Sequence, residues 1–138
     1  MAADQDNVYQ ERILDYYEVP YHQGHCMSPT HRHEEKNPLC GDVIQIEVAL
    51  DDSGRIHELY FDGEGCCISQ ASASMLLERL DGKTTEEVKA FTAQNMLDLF
   101  GARLTPNRQK CCLLSWRALQ SALHSPIDGA DHGGAVTE

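Results

Sequence analysis

Apolar residues alternate along "VIQIEVAL", residues 43 to 50. Ile44, Ile46, Val48 and Leu50 share one face, as in a half-buried strand. "DDSG" reads as a turn and "RIHELYF" as the partner strand of a hairpin, which "DGEG" ends. Upstream, "NVYQERILDYYE", residues 7 to 18, sets Tyr9, Ile13, Tyr16 and Tyr17 at helical spacing, and Pro20 stops that helix. Residues 20 to 38, with Gly24, Pro29, Pro38 and several histidines, read as a loop.

After the hairpin the period changes. "CISQASASMLLERL" places Ile68, Ser72, Met75, Leu76 and Leu80 on one helical stripe, stopped by "DG" at 81 and 82. Thr84 and Glu87 have the spacing of a capping box. The helix they open carries Val88 and Phe91 and breaks or bends before Leu97 and Phe100. Gly101 and Pro106 mark another loop. "KCCLLSWRALQSAL" is the last helix, with Leu114, Ala118, Leu119 and Ala122 inward. The order of helix, hairpin and helices predicts an α+β fold, a small antiparallel sheet covered by helices. Residues 1–124 form one domain in this reading, and 125–138 a frayed tail.

Composition narrows the class. The chain has 138 residues, 41% of them hydrophobic, enough for one core without staples. No apolar run reaches the length of a membrane span, and "MAADQDNVYQ" lacks the basic and apolar regions of a signal peptide. The expected setting is a reducing cytoplasm. A net charge of -11 argues against nucleic acid as a partner. The charge is uneven: residues 101–127 carry Arg103, Arg108, Lys110 and Arg117 and no acidic residue. That segment is either a solvated face or the surround of an anionic site.

Six cysteines in a short chain raise the question of a disulfide framework. Compartment and spacing speak against it, because Cys66-Cys67 and Cys111-Cys112 are vicinal pairs that bridge only with strain. Cys40 lies in the loop before the first strand, with Asp42 two residues on. Cys66 stands at the mouth of one helix and Cys111 is expected to open another. A helix N-terminus favours thiolate, the form that binds metal and attacks sulfur. Three thiolates and a carboxylate are donors enough for a tetrahedral zinc site, with a charge of about -2 that Arg108 and Lys110 could offset. No CxxC pair is present, so the pattern is not a finger. Spacing alone leaves buried or incidental cysteines as an equal alternative.

At these residues the chain resembles the U-type iron–sulfur cluster assembly proteins, IscU, SufU and the N-terminal domain of NifU. "NPLCGD", "GEGCCISQASAS" and "RQKCCLLSWRAL" look like the three motifs of that family, and the match runs from about Val8 to Leu123. The resemblance implies a three-stranded antiparallel sheet packed by helices. It implies Cys40, Asp42, Cys66 and Cys111 as metal ligands. Cys67 and Cys112 fall where the family has small residues. IscU-like members have His before the third cysteine; this chain has Lys110, and "R-x-K-C" with "LSW" looks like SufU. The insertion usual in SufU before the third cysteine is missing.

SufU proteins bind zinc and accept sulfur from a cysteine desulfurase. The resemblance therefore implies a zinc-dependent acceptor of persulfide sulfur, with a SufS- or IscS-like desulfurase as donor and an iron–sulfur scaffold or acceptor protein downstream. Cys40 is expected to take the sulfur, since a loop ligand leaves a metal more easily than one at a packed helix end. The alternative is a scaffold holding a [2Fe–2S] cluster, or iron, on the same four residues. A third reading is an interaction module with purely structural zinc. His22, His25, Cys26, His31 and His33 are expected to sit in an exposed polar loop and not to bind metal. Cys112 shares a stripe with Trp116, Leu119 and Leu123 and is expected in the core. Cys67 is left open as a sulfur relay or a substitute for Cys66.

Overall fold

A computed structural model describes residues 2–38 and 41–127. The elements in order are α1 (Ala2–Glu18), β1 (His31–Asn37), β2 (Asp42–Leu50), β3 (Ile56–Glu64), α2 (Cys67–Leu80), α3 (Thr85–Ala90), α4 (Ala93–Phe100) and α5 (Pro106–Ala122). The three strands form one antiparallel sheet in the order β1-β2-β3. The α+β expectation holds, and the α2 boundaries match it.

The alternation in β2 does what its period dictates: Ile44, Ile46 and Val48 are fully buried. On β3, Leu59 and Phe61 face the same way. Met75, Leu76 and Leu77 of α2, Phe100 of α4, and Leu114 and Leu119 of α5 close the core over them. Each such side chain contributes roughly 1.5–3 kcal/mol by burial. The hairpin turn is built by Asp51, whose Oδ1 accepts from the backbone N–H groups of Ser53 (2.9 Å) and Arg55 (3.0 Å).

The expected capping box at Thr84 and Glu87 is present. A second one, Thr92 with Asn95, restarts the chain as α4 and explains the break. Between them, α5 satisfies the exposed carbonyls of the break: Trp116 Nε1 donates to Phe91 O at 2.8 Å and Gln120 Nε2 to Val88 O at 2.7 Å.

Several expectations need correction. The loop assigned to residues 20–38 contains β1. Its sequence, "HRHEEKN", has no apolar alternation, because it is an edge strand whose inner positions pack polar side chains under α5. The last helix begins at Pro106, with Thr105 accepting from Arg108 N as N-cap and proline in its first turn. Cys111 therefore lies in the second turn, and the helix-terminus argument does not apply to it. The first helix starts earlier than residue 7, at Ala2. Finally, the expected tail begins as a pinned segment: Arg32 N donates to Ser125 O and Ile127 N to Thr30 O.

Residues 20–30 strap the sheet instead of hanging free. Tyr21 N donates to Ser74 Oγ at 2.6 Å, and the His22 ring stacks between Tyr21 and Tyr60. His22 adopts φ 55°, an uncommon left-handed conformation for a non-glycine residue. Cys26 is buried, with its N–H on Glu47 Oε1 at 2.9 Å. The histidines expected to be exposed divide: His25 is exposed, while His22, His31 and His33 are half-buried. None belongs to a metal-competent cluster among the described residues.

Candidate metal centre

One end of the sheet gathers three donors from three elements. Asp42 opens β2, directly after the turn in which Gly41 N donates to Asn37 O at 2.8 Å. Gly41 has φ 72°, a conformation that suits glycine at this reversal. Asp42 is 1% exposed. A buried carboxylate is costly unless it is paired, and α2 supplies partners. The backbone N–H of Cys66, the N-cap of α2, donates to Asp42 Oδ1 at 3.0 Å, and Cys66 Sγ lies 3.5 Å from Oδ2. This is the usual match of an anion with the free N–H groups of a helix start.

Cys66 is exposed, and no side-chain bond caps the helix through it. Its carbonyl accepts from Ser69 Oγ at 3.0 Å, which fixes the entry to α2. Cys111 arrives from α5 and is 2% exposed. Its sulfur accepts from Asn37 Nδ2 at 3.6 Å. One carboxylate oxygen and the two sulfurs, from Asp42, Cys66 and Cys111, all lie within 4.8 Å of one another.

The donor set suits a metal. Zinc takes thiolate sulfur and carboxylate oxygen at about 2.0–2.3 Å, so ligand atoms around a tetrahedral ion stand roughly 3.5–4 Å apart. Closing the three atoms onto one ion needs about an ångström of side-chain movement at most. Cys40, the fourth expected ligand, lies outside the described residues.

The remaining cysteines separate cleanly. Cys112 is fully buried in the core, as expected, and burial pushes its thiol up to about 12. Cys26 is also pushed to about 12, first by burial and then by Glu58 and Glu47. Both stay protonated at neutral pH and serve as small apolar groups. Cys67, the first residue of α2, is exposed and makes no side-chain hydrogen bond among the described residues. Arg103, Arg108 and Lys110 are exposed around the start of α5. Arg117 instead approaches Glu35 at 3.8 Å, so the basic segment is partly neutralised from β1. Asn37 went unnoticed in the sequence. Its place next to "PLCGD" is visible there, but its contact with Cys111 of α5 exists only in the fold.

The profile of the NifU-like N-terminal domain matches residues 8–126. The iron–sulfur cluster assembly scaffold protein IscU of Thermotoga maritima is 33% identical, over 84% of this chain and 92% of its own length. The zinc-dependent sulfurtransferase SufU of Bacillus subtilis is 32% identical, over 88% of this chain and 92% of its own. A crystal structure described as a putative iron–sulfur cluster assembly scaffold protein for the SUF system, from Fervidobacterium islandicum, superposes with a TM-score of 0.72. It is 30% identical and covers 82% of this chain and 94% of its own. The match over residues 8–126, the two relatives above 30% identity along most of their length and the shared fold lead to one conclusion: the chain belongs to the NifU-like N-terminal domain family.

Proposed function

We propose that the chain works in iron–sulfur cluster assembly as a zinc-dependent acceptor of persulfide sulfur, with Cys40, Asp42, Cys66 and Cys111 as the metal ligands. One observation carries this reading: a buried carboxylate and two cysteine sulfurs, brought from three separate elements, meet within 4.8 Å. Covalent connectivity holds Cys40 two residues from Asp42, which makes it the natural fourth donor. Zinc, when bound, keeps such cysteines as thiolates and protects them from oxidation.

The donor is a cysteine desulfurase carrying a persulfide, R–S–SH. The Cys40 thiolate attacks the outer sulfur. A Cys40 S–S bond forms, the S–S bond of the donor breaks, and the desulfurase cysteine leaves as the thiolate. No electrons are gained or lost overall. A downstream iron–sulfur scaffold or acceptor protein then takes the sulfur. In this reading the chain is a sulfurtransferase.

Metal analysis of anaerobically purified protein is the test, combined with alanine release by a SufS- or IscS-like desulfurase. Colourless protein with one zinc per chain, faster alanine release, and a persulfide mass increment on the Cys40 peptide are expected. Cys66→Ser and Cys111→Ser should lose stoichiometric zinc. A second reading, a scaffold for a [2Fe–2S] cluster, is favoured by the Thermotoga maritima relative, named a scaffold protein. Brown protein with iron and sulfide on the same cysteines, and no stimulation of the desulfurase, would put that reading first.

A further inference from the structure

Asn37 and Asp42 stand directly opposite each other at the end of the β1–β2 pair. Residues so paired project to the same face of a sheet. Both are buried, Asn37 at 3% exposure and Asp42 at 1%. Their side chains reach two different helices. Asp42 accepts the N–H of Cys66 at the start of α2, and Asn37 Nδ2 donates to Cys111 Sγ in α5 at 3.6 Å. One cross-strand pair thus presents an acceptor to one cysteine and a donor to the other.

A primary amide is costly to bury unless its N–H groups are paired, so its bond to sulfur is part of what holds it there. We propose that Asn37 is a positioning residue of the metal centre, its side-chain amide holding Cys111 Sγ as the anchored ligand of the set. The proposal rests on the reading of this cluster as a metal centre. An N–H donor aimed at a ligand sulfur fixes its rotamer and offsets charge on it when it is ionised. Cys111 is buried and held in this way, whereas Cys66 is exposed. The two cysteines are therefore unequal, and ligand exchange during sulfur transfer spares Cys111.

The deciding variant is Asn37→Asp, which keeps the shape and replaces the donor N–H by a carboxylate oxygen. Zinc affinity by chelator competition should fall at least tenfold. In the cobalt-substituted protein the sulfur-to-metal charge-transfer band should shift. Asn37→Leu, similar in size and apolar, should weaken zinc less, since it removes the donor without adding a charge. Zinc affinity of Asn37→Asp within twofold of wild type, with an unchanged cobalt spectrum, would overturn the proposal.

A metal-free measurement separates this from the functional reading. In the apoprotein, the Asn37 side-chain amide resonances should move when Cys111 is changed to serine. If wild type binds no metal, the functional reading falls. If those resonances stay in place, the Asn37 inference falls, whatever the metal does.

Discussion

Gly65 leaves no room for a side chain beside Asp42. A Cβ at position 65 would overlap Asp42 Oδ1 and lie 2.8 Å from both Asp42 Cγ and Ser69 Oγ. Its φ of 155° adds a second restriction. The carboxylate is packed against bare backbone, which lets the N–H of Cys66 come within bonding distance. Gly65→Ala should therefore displace Asp42 and weaken zinc binding, while costing about 1–3 kcal/mol of stability. Gly82→Ala is the control. It also has positive φ, 81°, but meets nothing within 4 Å. It should lose about 1 kcal/mol and keep its zinc. Equal zinc affinity in the two variants by chelator competition would remove Gly65 from the account.

The vicinal pairs should behave differently. Cys112→Ala leaves a small void in a packed core and should cost on the order of 1 kcal/mol in urea unfolding. Zinc stoichiometry should not change. Cys67→Ala, at an exposed position, should change neither quantity measurably. A Cys67→Ala protein without zinc beside a Cys66→Ala protein with it would make Cys67, and not Cys66, the ligand of that pair.

Alkaline pH should destabilise the fold. The Cys112 thiol is raised to about 12 by burial. Tyr21 is raised to about 12 by burial and by its bond to Asp81. Between pH 9 and 12 the unfolded chain loses these protons and the folded chain keeps them. The native state then binds more protons, so unfolding free energy falls as pH rises. Below about pH 8 these groups contribute almost no slope. The urea midpoint, followed from pH 8 to 11, should decline from about pH 9, and Cys112→Val should flatten part of that decline. An identical slope in the variant would show that Cys112 does not report the alkaline transition.

Arg108 and Lys110 are exposed in the first turns of α5, the helix that also carries Cys111. If they steer a negatively charged persulfide, Arg108→Ala and Lys110→Ala should slow desulfurase stimulation at low salt, with the difference shrinking as ionic strength rises. Rates that differ from wild type by the same factor at all salt concentrations would point to a contact role.

The β2–β3 hairpin and α2 can be read in the sequence because apolar residues mark most of each element, although β3 runs on to Glu64, through the "DGE" expected to end it. β1 cannot. His33 and Glu35 bond to each other at 2.8 Å, and Asn37 reaches Cys111. Its inward side chains are polar, so a scan for apolar alternation passes over it. The start of α5 was missed for another reason. Thr105 and Pro106 are the N-cap and first-turn signal, but a proline close after Gly101 has the same appearance as a loop breaker.

For the site, the motifs named Asp42, Cys66 and Cys111 because each sits in a recognisable short stretch. They carried no information on the inequality between Cys66 and Cys111. Exposure of Cys66 and burial of Cys111 depend on how α2 and α5 pack, which is settled by side chains far from either motif.

The three converging donors also bear on the order in which the molecule is made. Asp42 and Cys66 come from the first half of the chain, and Cys111 from α5, the last helix among the described residues. A chain growing from its N-terminus carries two of these donors long before the third exists. Only when α5 has been synthesised and has docked on β1 and β2 does Cys111 reach the other two. Metal capture would then act as a late checkpoint, closing only on chains that have folded to their last helix. An ion held there would tie that helix to the sheet end, so nascent or truncated chains ending before residue 111, which lack one of the four proposed ligands, should hold the ion more weakly.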